Sequence, residues 1–441
     1  MVMVQPRVFF AVAPQSVVNE LAHKMGMDPV KVKEMNMPVE GGPLPGYPDV
    51  PYAQSCSMDR CMARAKEMMD WDSKYPCRDM GNGKVRGVGV AMAMQGSSIA
   101  GVDVGGADIK LNEDGSYTLA LGCTDMGTGC DTVMAQIAAD CLNTPMDNIV
   151  VFSVDTDISP YDSGSYASAT TYTTGVAVMK ACEELKKKIC KLGAEMMEVD
   201  ERKVDFDGSC VFYDETLETD DGADGNAAGH MTDAEECYSV DMDAISSENA
   251  QKKVSLKDIA LKSTFFNNIE LQVVKQHSSP ISPPPFMVGM AEVEVDTETG
   301  SVDVLDYVAV VDCGTPINPN LARVQTEGGI AQGIGMALWE DVQYTDKGKI
   351  RNNSFMQYKI PTRQDIGNIR VDFECSYEKS GPFGAKSIGE LVIDTPCPAL
   401  AEAIYNATGV RLTELPMTPE KIAMEILKNR ESTRSGTKVE E

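Results

Sequence analysis

The chain has 441 residues, enough for two or three lobes with a substantial core. Its formal charge of −28 argues against nucleic acid or an anionic membrane as partner, since either would be repelled over the whole surface. Thirteen cysteines, odd in number and scattered through helical apolar patterns, fit a reducing cytoplasm better than a disulfide framework.

The first residues imitate a signal peptide, with Arg7, a short apolar run and Ala11-Val-Ala13, but the run is short and passes directly into an amphipathic helix. No stretch is long and apolar enough to span a membrane. From about Pro14 to Met37 the spacing predicts a helix with Val17, Leu21 and Met25 on one stripe, closing near Gly26, and Asp28-Pro29 opening another. A Gly/Pro-rich loop follows from Gly41 to Pro51. Cys56 to Trp71 reads as helix, with Met58, Cys61, Met62 and Met68 as core filler rather than a metal box.

Beyond Arg86 the pattern is mixed. Ala107 to Leu111 and Ser116 to Leu121 alternate around Asp114-Gly115, predicting a β-hairpin. Gly122 to Gly129 then forms a glycine loop before a helix carrying Val133, Ile137 and Cys141 and a strand from Ile149 to Val154. A second such unit comprises strands Ala291 to Asp296 and Val302 to Val311 around Thr299-Gly300, then a helix that Asn318 caps and Pro319 opens, running through Glu340. The fold class is therefore α+β, with two related α+β halves after a short helical segment. The expected divisions are a helical segment at 1–85, a first half at 86–203, an acidic insertion at 204–252, a second half at 253–430 and a disordered tail at 431–441. From Val204 to Gln251 the connector has no Lys or Arg and is expected to be exposed and partly mobile. Its Asp220, Asp221 and Asp224 lack EF-hand spacing, so a solvated acidic loop fits better than a calcium site.

Four segments could carry chemistry. In Gly381-Pro-Phe-Gly-Ala-Lys-Ser-Ile-Gly-Glu390, glycines and small residues deliver one carboxylate just ahead of apolar Leu391, Val392 and Ile393. Held in a dry pocket, Glu390 would be a candidate general base; an acid on a solvent-facing loop has the same local pattern. Gly127-Thr128-Gly129 precedes a helix whose N-terminus could receive an anion, or is only a tight turn. Gly164 to Ser168, with Thr170 and Thr171, supplies hydroxyls for a polar ligand or a helix cap. Gln325, Gly328, Gly329, Gln332 and Gly335 fall within one predicted helix, where glycines are costly unless something packs tightly against them. Three histidines and no GxSxG elbow give little support to nucleophilic catalysis.

Taken together, EMNM, LNEDGSYTLALGCTDMGTGCDTVMAQIAADCL, VDTDISPYDSGSYASATTYTTGVAV, MAEVEVDTETGSVDVLDYVAVVDCGTPINP, VQTEGGIAQGIGMALWE, YKIPT and GPFGAKSIGELVIDTPCPALAEAIYNATGV resemble the molybdenum-binding subunit of the xanthine dehydrogenase and aldehyde oxidase family, the molybdenum hydroxylases. The motifs are co-linear and span nearly the whole chain. The resemblance implies a molybdenum–molybdopterin cofactor, in the cytosine dinucleotide form, and hydroxylation of an electron-poor carbon with oxygen from water. It gives Glu390 the role of catalytic base. It places Met126, Gly127, Thr128, Ala167, Ser168, Gln325, Lys386, Ser387, Ile388 and Gly389 against the cofactor, with no protein ligand to the metal. Many members have Gly-Gln-Gly where this chain has Gly127-Thr128-Gly129, so an amide contact there is replaced by a hydroxyl or lost. Lys386 would either neutralise cofactor charge or sit in a surface or ion-pair role.

The family subunit is usually longer, and this chain is expected to begin near its Arg-Gly-Phe-Gly region. The implied partners are a separate chain carrying the N-terminal half of the molybdenum domain, a 2Fe-2S subunit and an FAD subunit. No CxxC occurs, and Cys56 with Cys61 or Cys123 with Cys130 lack zinc or iron–sulfur spacing, in keeping with clusters on another chain. The substrate implied is a purine such as xanthine or hypoxanthine, with nicotinate or another N-heteroaromatic as the rival and aldehydes further behind. A noncatalytic structural or cofactor-binding subunit, in which Glu390 is incidental, is the reading from a different class.

Overall fold

The computed structural model describes residues 5–44, 47, 49–217, 252–267 and 269–435. Four helices come first: α1 (Gln5–Lys24), α2 (Pro29–Glu34), α3 (Met58–Met69) and α4 (Trp71–Lys74). Strands β1 (Cys77–Gly81), β2 (Lys84–Met94), β3 (Gly105–Leu111) and β4 (Tyr117–Leu121) lead to α5 (Cys130–Cys141), β5 (Ile149–Ser153) and α6 (Gly175–Met197). The short β6 (Val204–Phe206), β7 (Cys210–Tyr213) and β8 (Lys253–Ser255) form a three-stranded sheet beside α7 (Leu256–Leu261). The remainder is β9 (Gln272–His277), β10 (Phe286–Asp296), β11 (Val302–Asp312), α8 (Pro319–Leu338), β12 (Asn368–Phe373), α9 (Pro396–Thr408) and α10 (Pro419–Ser435).

Two larger sheets organise the molecule, in the orders β5-β4-β3-β9 and β1-β2-β10-β11-β12. Each contains a hairpin, β3–β4 or β10–β11, whose second strand pairs in parallel with the strand that follows a helix, β5 after α5 and β12 after α8. These are the two related halves read from the sequence. They exchange strands: β9, from beyond the acidic connector, completes the first sheet against β3, while β2, from before the first hairpin, pairs with β10 in the second.

The core follows the sheets. Ile109, Leu119 and Leu121 face α5 and α6 through Ile137, Val178 and Leu185. The five-stranded sheet is buried on both faces, which explains its continuous apolar runs. Met287, Ala291, Ala309 and Val311 pack with α8 and α9, while Val288, Met290, Val308 and Val310 pack on α3 through Met58, Cys61 and Met62.

Three expectations change. Val17, Leu21 and Met25 are 62%, 50% and 49% exposed. Helix α1 instead buries Asn19, which donates to the Val90 carbonyl, and Ala22. The opening of the acidic stretch is core rather than exposed loop, because Val204, Phe206 and Val211 are apolar at strand spacing and buried beside α6. Asp220, Asp221 and Asp224 lie outside the described residues. The last helix runs to Ser435, several residues into the expected tail.

The glycines of α8 have the physical reason the sequence demanded. A Cβ on Gly329 would lie 2.2 Å from Val392 Cγ2, and one on Gly333 2.7 Å from Pro396 Cγ. With Gln325, these residues are spaced by four and share one face of the helix. That face lies directly on residues 389–396, while Gly328 points into open space. Gly329→Ala is accordingly expected to destabilise the protein by about 1–3 kcal/mol through overpacking. The change would be read as a lower Tm; Gly328→Ala, facing open space, should leave Tm unchanged or slightly raised.

Candidate active site

Glu390 sits where three segments meet. The chain ahead of it, Gly381 to Gly389, folds back along the end of β11: Lys386 N–H donates to the Cys313 carbonyl at 2.7 Å, and Thr315 N–H to the Gly384 carbonyl at 2.9 Å. Behind it, Leu391, Val392 and Ile393 are buried, the apolar anchor that the sequence placed there. The half-buried carboxylate is thus fixed from both sides.

Its hydrogen bonds are specific. Oε2 accepts from Gln95 Nε2 at 2.9 Å and from Ser168 Oγ at 3.0 Å. Ser168 Oγ also receives Glu390's own N–H at 3.0 Å, so one hydroxyl grips main chain and side chain together. From the opposite side, Gln325 Nε2 donates to the Gly389 carbonyl at 2.8 Å. Ala167 and Ser168 are both left-handed, at φ 50° and 56°. Consecutive non-glycine residues in that region cost on the order of 1–3 kcal/mol each, and such strain gathers at functional sites. Here it turns the Ser168 hydroxyl onto Glu390.

A cavity of about 340 Å³ opens beside these groups. Met126, Thr128, Ser168, Gln325, Lys386, Ser387, Ile388, Gly389 and Glu390 all line it. Segments separated by more than two hundred residues are thereby brought to one wall. Gly127 and Ala167 stand just behind: Gly127 N–H is held by Asp125 Oδ1 at 2.8 Å, and the Ala167 carbonyl accepts from Ser98 N–H at 3.1 Å.

The electrostatics come from dipoles and neutral donors. Helices α5 and α8 and the π-helical turn Thr170–Thr174 that runs into α6 begin on this wall, at Cys130, Asn318 and Thr170. Three helix N-termini give partial positive charge where an anionic group would sit. Ser165, Thr170, Thr171, Thr315 and Ser387 add hydroxyls. Lys386 is the single basic residue among the described lining residues, and its ammonium is engaged elsewhere. It pairs with Asp312 Oδ1 at 3.0 Å, both side chains fully buried, donates to the Ser55 carbonyl at 3.2 Å and lies over the Phe286 ring. Of the two roles considered for Lys386, the side chain takes the ion pair, though as a buried and not a surface lysine. Burial, followed by the Asp312 charge, pushes the Cys313 thiol up to about 12, so it lines the cavity as a protonated group rather than a nucleophile.

Residues absent from the sequence reading include Gln95 and Ser97. They belong to Gln95-Gly-Ser-Ser98, directly after β2; Ser97 Oγ accepts from Ser387 N–H and donates to Ser387 Oγ, both at 3.1 Å. A polar, small-residue run closing an apolar strand was the available signal. Its significance depends on a contact across about three hundred positions.

The chain belongs to the molybdopterin cofactor-binding domain family, whose model matches residues 64–367. The resemblance drawn from the motifs therefore holds, as does the fold class. The chain is 33% identical over 419 residues to a probable hypoxanthine oxidase of Escherichia coli K12, covering 91% of this chain and 39% of that protein. It is 29% identical over 426 residues to a xanthine dehydrogenase molybdenum-binding subunit of Escherichia coli O157:H7, covering 95% and 52%. A nicotine 6-hydroxylase large subunit of Paenarthrobacter nicotinovorans matches at 28% over 436 residues, covering 93% and 49%. Among solved structures, quinoline 2-oxidoreductase from Pseudomonas putida 86 superposes with a TM-score of 0.78 at 21% identity, over 95% of this chain and 52% of that one. The chain thus spans about two fifths to about half of the length of these four relatives.

The residues present fit a molybdopterin group. Helix N-termini and hydroxyls suit a phosphate-bearing organic cofactor, and a Cβ on Gly127, between the lining residues Met126 and Thr128, would stand in open space. No described helix is long and apolar enough to cross a membrane. Breaking the Lys386–Asp312 pair would leave Asp312 buried with only the donors Ser57 N–H, Gly314 N–H and Ser376 Oγ. Lys386→Met is expected to cost roughly 3–5 kcal/mol, observed as a marked fall in Tm.

Proposed function

We propose that this chain carries the catalytic base and much of the cofactor wall of a molybdenum hydroxylase acting on a purine such as xanthine or hypoxanthine. The observation that carries the reading is the placement of Glu390, gripped by Gln95 and Ser168 and steadied through Gln325, on the wall where three helix N-termini converge. Bound there, molybdopterin would supply the two-electron redox chemistry, with water as the source of oxygen. Thr128, Ser168, Ser387 and the main chain of 386–389 would hold the cofactor, Thr128 offering a hydroxyl where many relatives offer an amide. Glu390 would take the proton that makes the attacking oxygen nucleophilic, its anchored carboxylate requiring little reorganisation.

The purine assignment draws on the xanthine and hypoxanthine enzymes among the relatives. The nicotine 6-hydroxylase match favours a second reading, another N-heteroaromatic substrate. A cytosine dinucleotide form of the cofactor, a chain supplying the other half of the molybdenum domain, and 2Fe-2S and FAD subunits that carry electrons away complete the proposal. Twelve described cysteines are free, in keeping with a cytoplasmic setting.

Glu390→Gln keeps the shape of the side chain and removes its basicity. The variant is expected to retain molybdenum and pterin while losing turnover by roughly 10²–10⁴-fold, measured as dye reduction with xanthine or hypoxanthine. Retained turnover would overturn the base assignment; a response to nicotinate alone would move the substrate and leave the chemistry.

A further inference from the structure

Gln95 follows the last residue of β2 and reaches Glu390 from the five-stranded sheet. Its Nε2 is 2.9 Å from Glu390 Oε2 and 3.2 Å from Ser168 Oγ, so the amide's two protons meet two oxygens that already face each other. The side chain is only 5% exposed, and its Oε1 has no hydrogen-bond partner among the described residues. A buried acceptor without a donor is unfavourable. The amide therefore keeps this orientation because of what its donor end meets, and that end suits an ionised carboxylate.

We propose that Gln95 is a positioning residue that sets the proton affinity of Glu390 and fixes its rotamer. This rests on the reading of Glu390 as base. A hydrogen bond from a neutral amide steadies the anion without the full positive charge of a lysine or arginine, which would weaken the base far more. Lys386, the basic residue on the same wall, is paired with Asp312. The other titratable groups on that wall are Cys130, Tyr166 and Cys313. Burial keeps the Cys313 thiol protonated, and a hydrogen bond to Asp103 raises the Tyr166 hydroxyl above its ordinary value. Neither is a competing anion near neutral pH.

The test compares wild type, Gln95→Met and Gln325→Met in the full chain with whatever co-purifies. The Glu390 carboxyl is titrated by infrared difference spectroscopy, its signal assigned by its loss in Glu390→Gln. Gln95→Met removes the donor at similar volume and should move the midpoint up. The acid limb of kcat/KM should move up with it, because the base stays protonated to higher pH. Gln325→Met loosens the Gly389 carbonyl but donates nothing to the carboxylate, so it should lower kcat with the midpoint unmoved. An unchanged midpoint in Gln95→Met would overturn the proposal, as would an equal shift in both variants, which would report only a loosened loop. Turnover retained by Glu390→Gln would count against the base reading alone and leave the midpoint comparison standing.

Discussion

The site depends on the close approach of α8 to the segment that carries Glu390. Gly329 and Gly333 let the helix backbone lie against Val392 and Pro396, and one turn earlier Gln325 fixes the Gly389 carbonyl. Glycine inside a helix costs about 1 kcal/mol relative to alanine. What offsets that cost is the burial of Leu391, Val392 and Ile393 under the helix, which leaves Glu390 at the edge of the core among the residues that line the cavity.

The second sheet meets the same loop from behind. Asp312, where β11 ends, is buried and accepts from Ser57, Gly314, Ser376 and Lys386, tying the helical N-terminal region, the strand end and the Glu390 loop together. Its charge is balanced inside the protein, so Lys386 adds no uncompensated positive field to the cavity. Anion affinity is then left to helix termini and hydroxyls, and the Glu390 carboxylate accepts from two neutral donors, Gln95 and Ser168. This division suits the proposed role, in which a negatively charged cofactor would lie beside a carboxylate that takes up a proton.

Much of this was legible in the sequence, for local reasons. The hairpins announced themselves through alternation and turn residues, the α8 cap through Asn318-Pro319, and Glu390 through its glycines and the apolar triplet behind it. Strand β2 was not among the strands expected. Gly87 and Gly89 weaken its pattern, yet a Cβ on them would lie 2.2 Å from the Ala403 carbonyl oxygen and 2.1 Å from that of Ala399. The residues that hide the strand are those that admit α9. The exchange of β2 and β9 between the halves, and the reach of Gln95 to Glu390, involve positions far apart in the chain and leave no periodic trace. Val17, Leu21 and Met25 show the reverse: a clear helical stripe that stays exposed, because Asn19 and Ala22 on another face make the contacts.

The most direct measurement is anomalous diffraction at the molybdenum absorption edge from crystals of the complex purified with its native partners. The account predicts one molybdenum site per chain, in the cavity beside the Glu390 carboxylate, with that carboxylate still bonded to Gln95 and Ser168. Molybdenum located away from this cavity, or a cavity filled by the cofactor with Glu390 turned out of reach of it, would contradict the account.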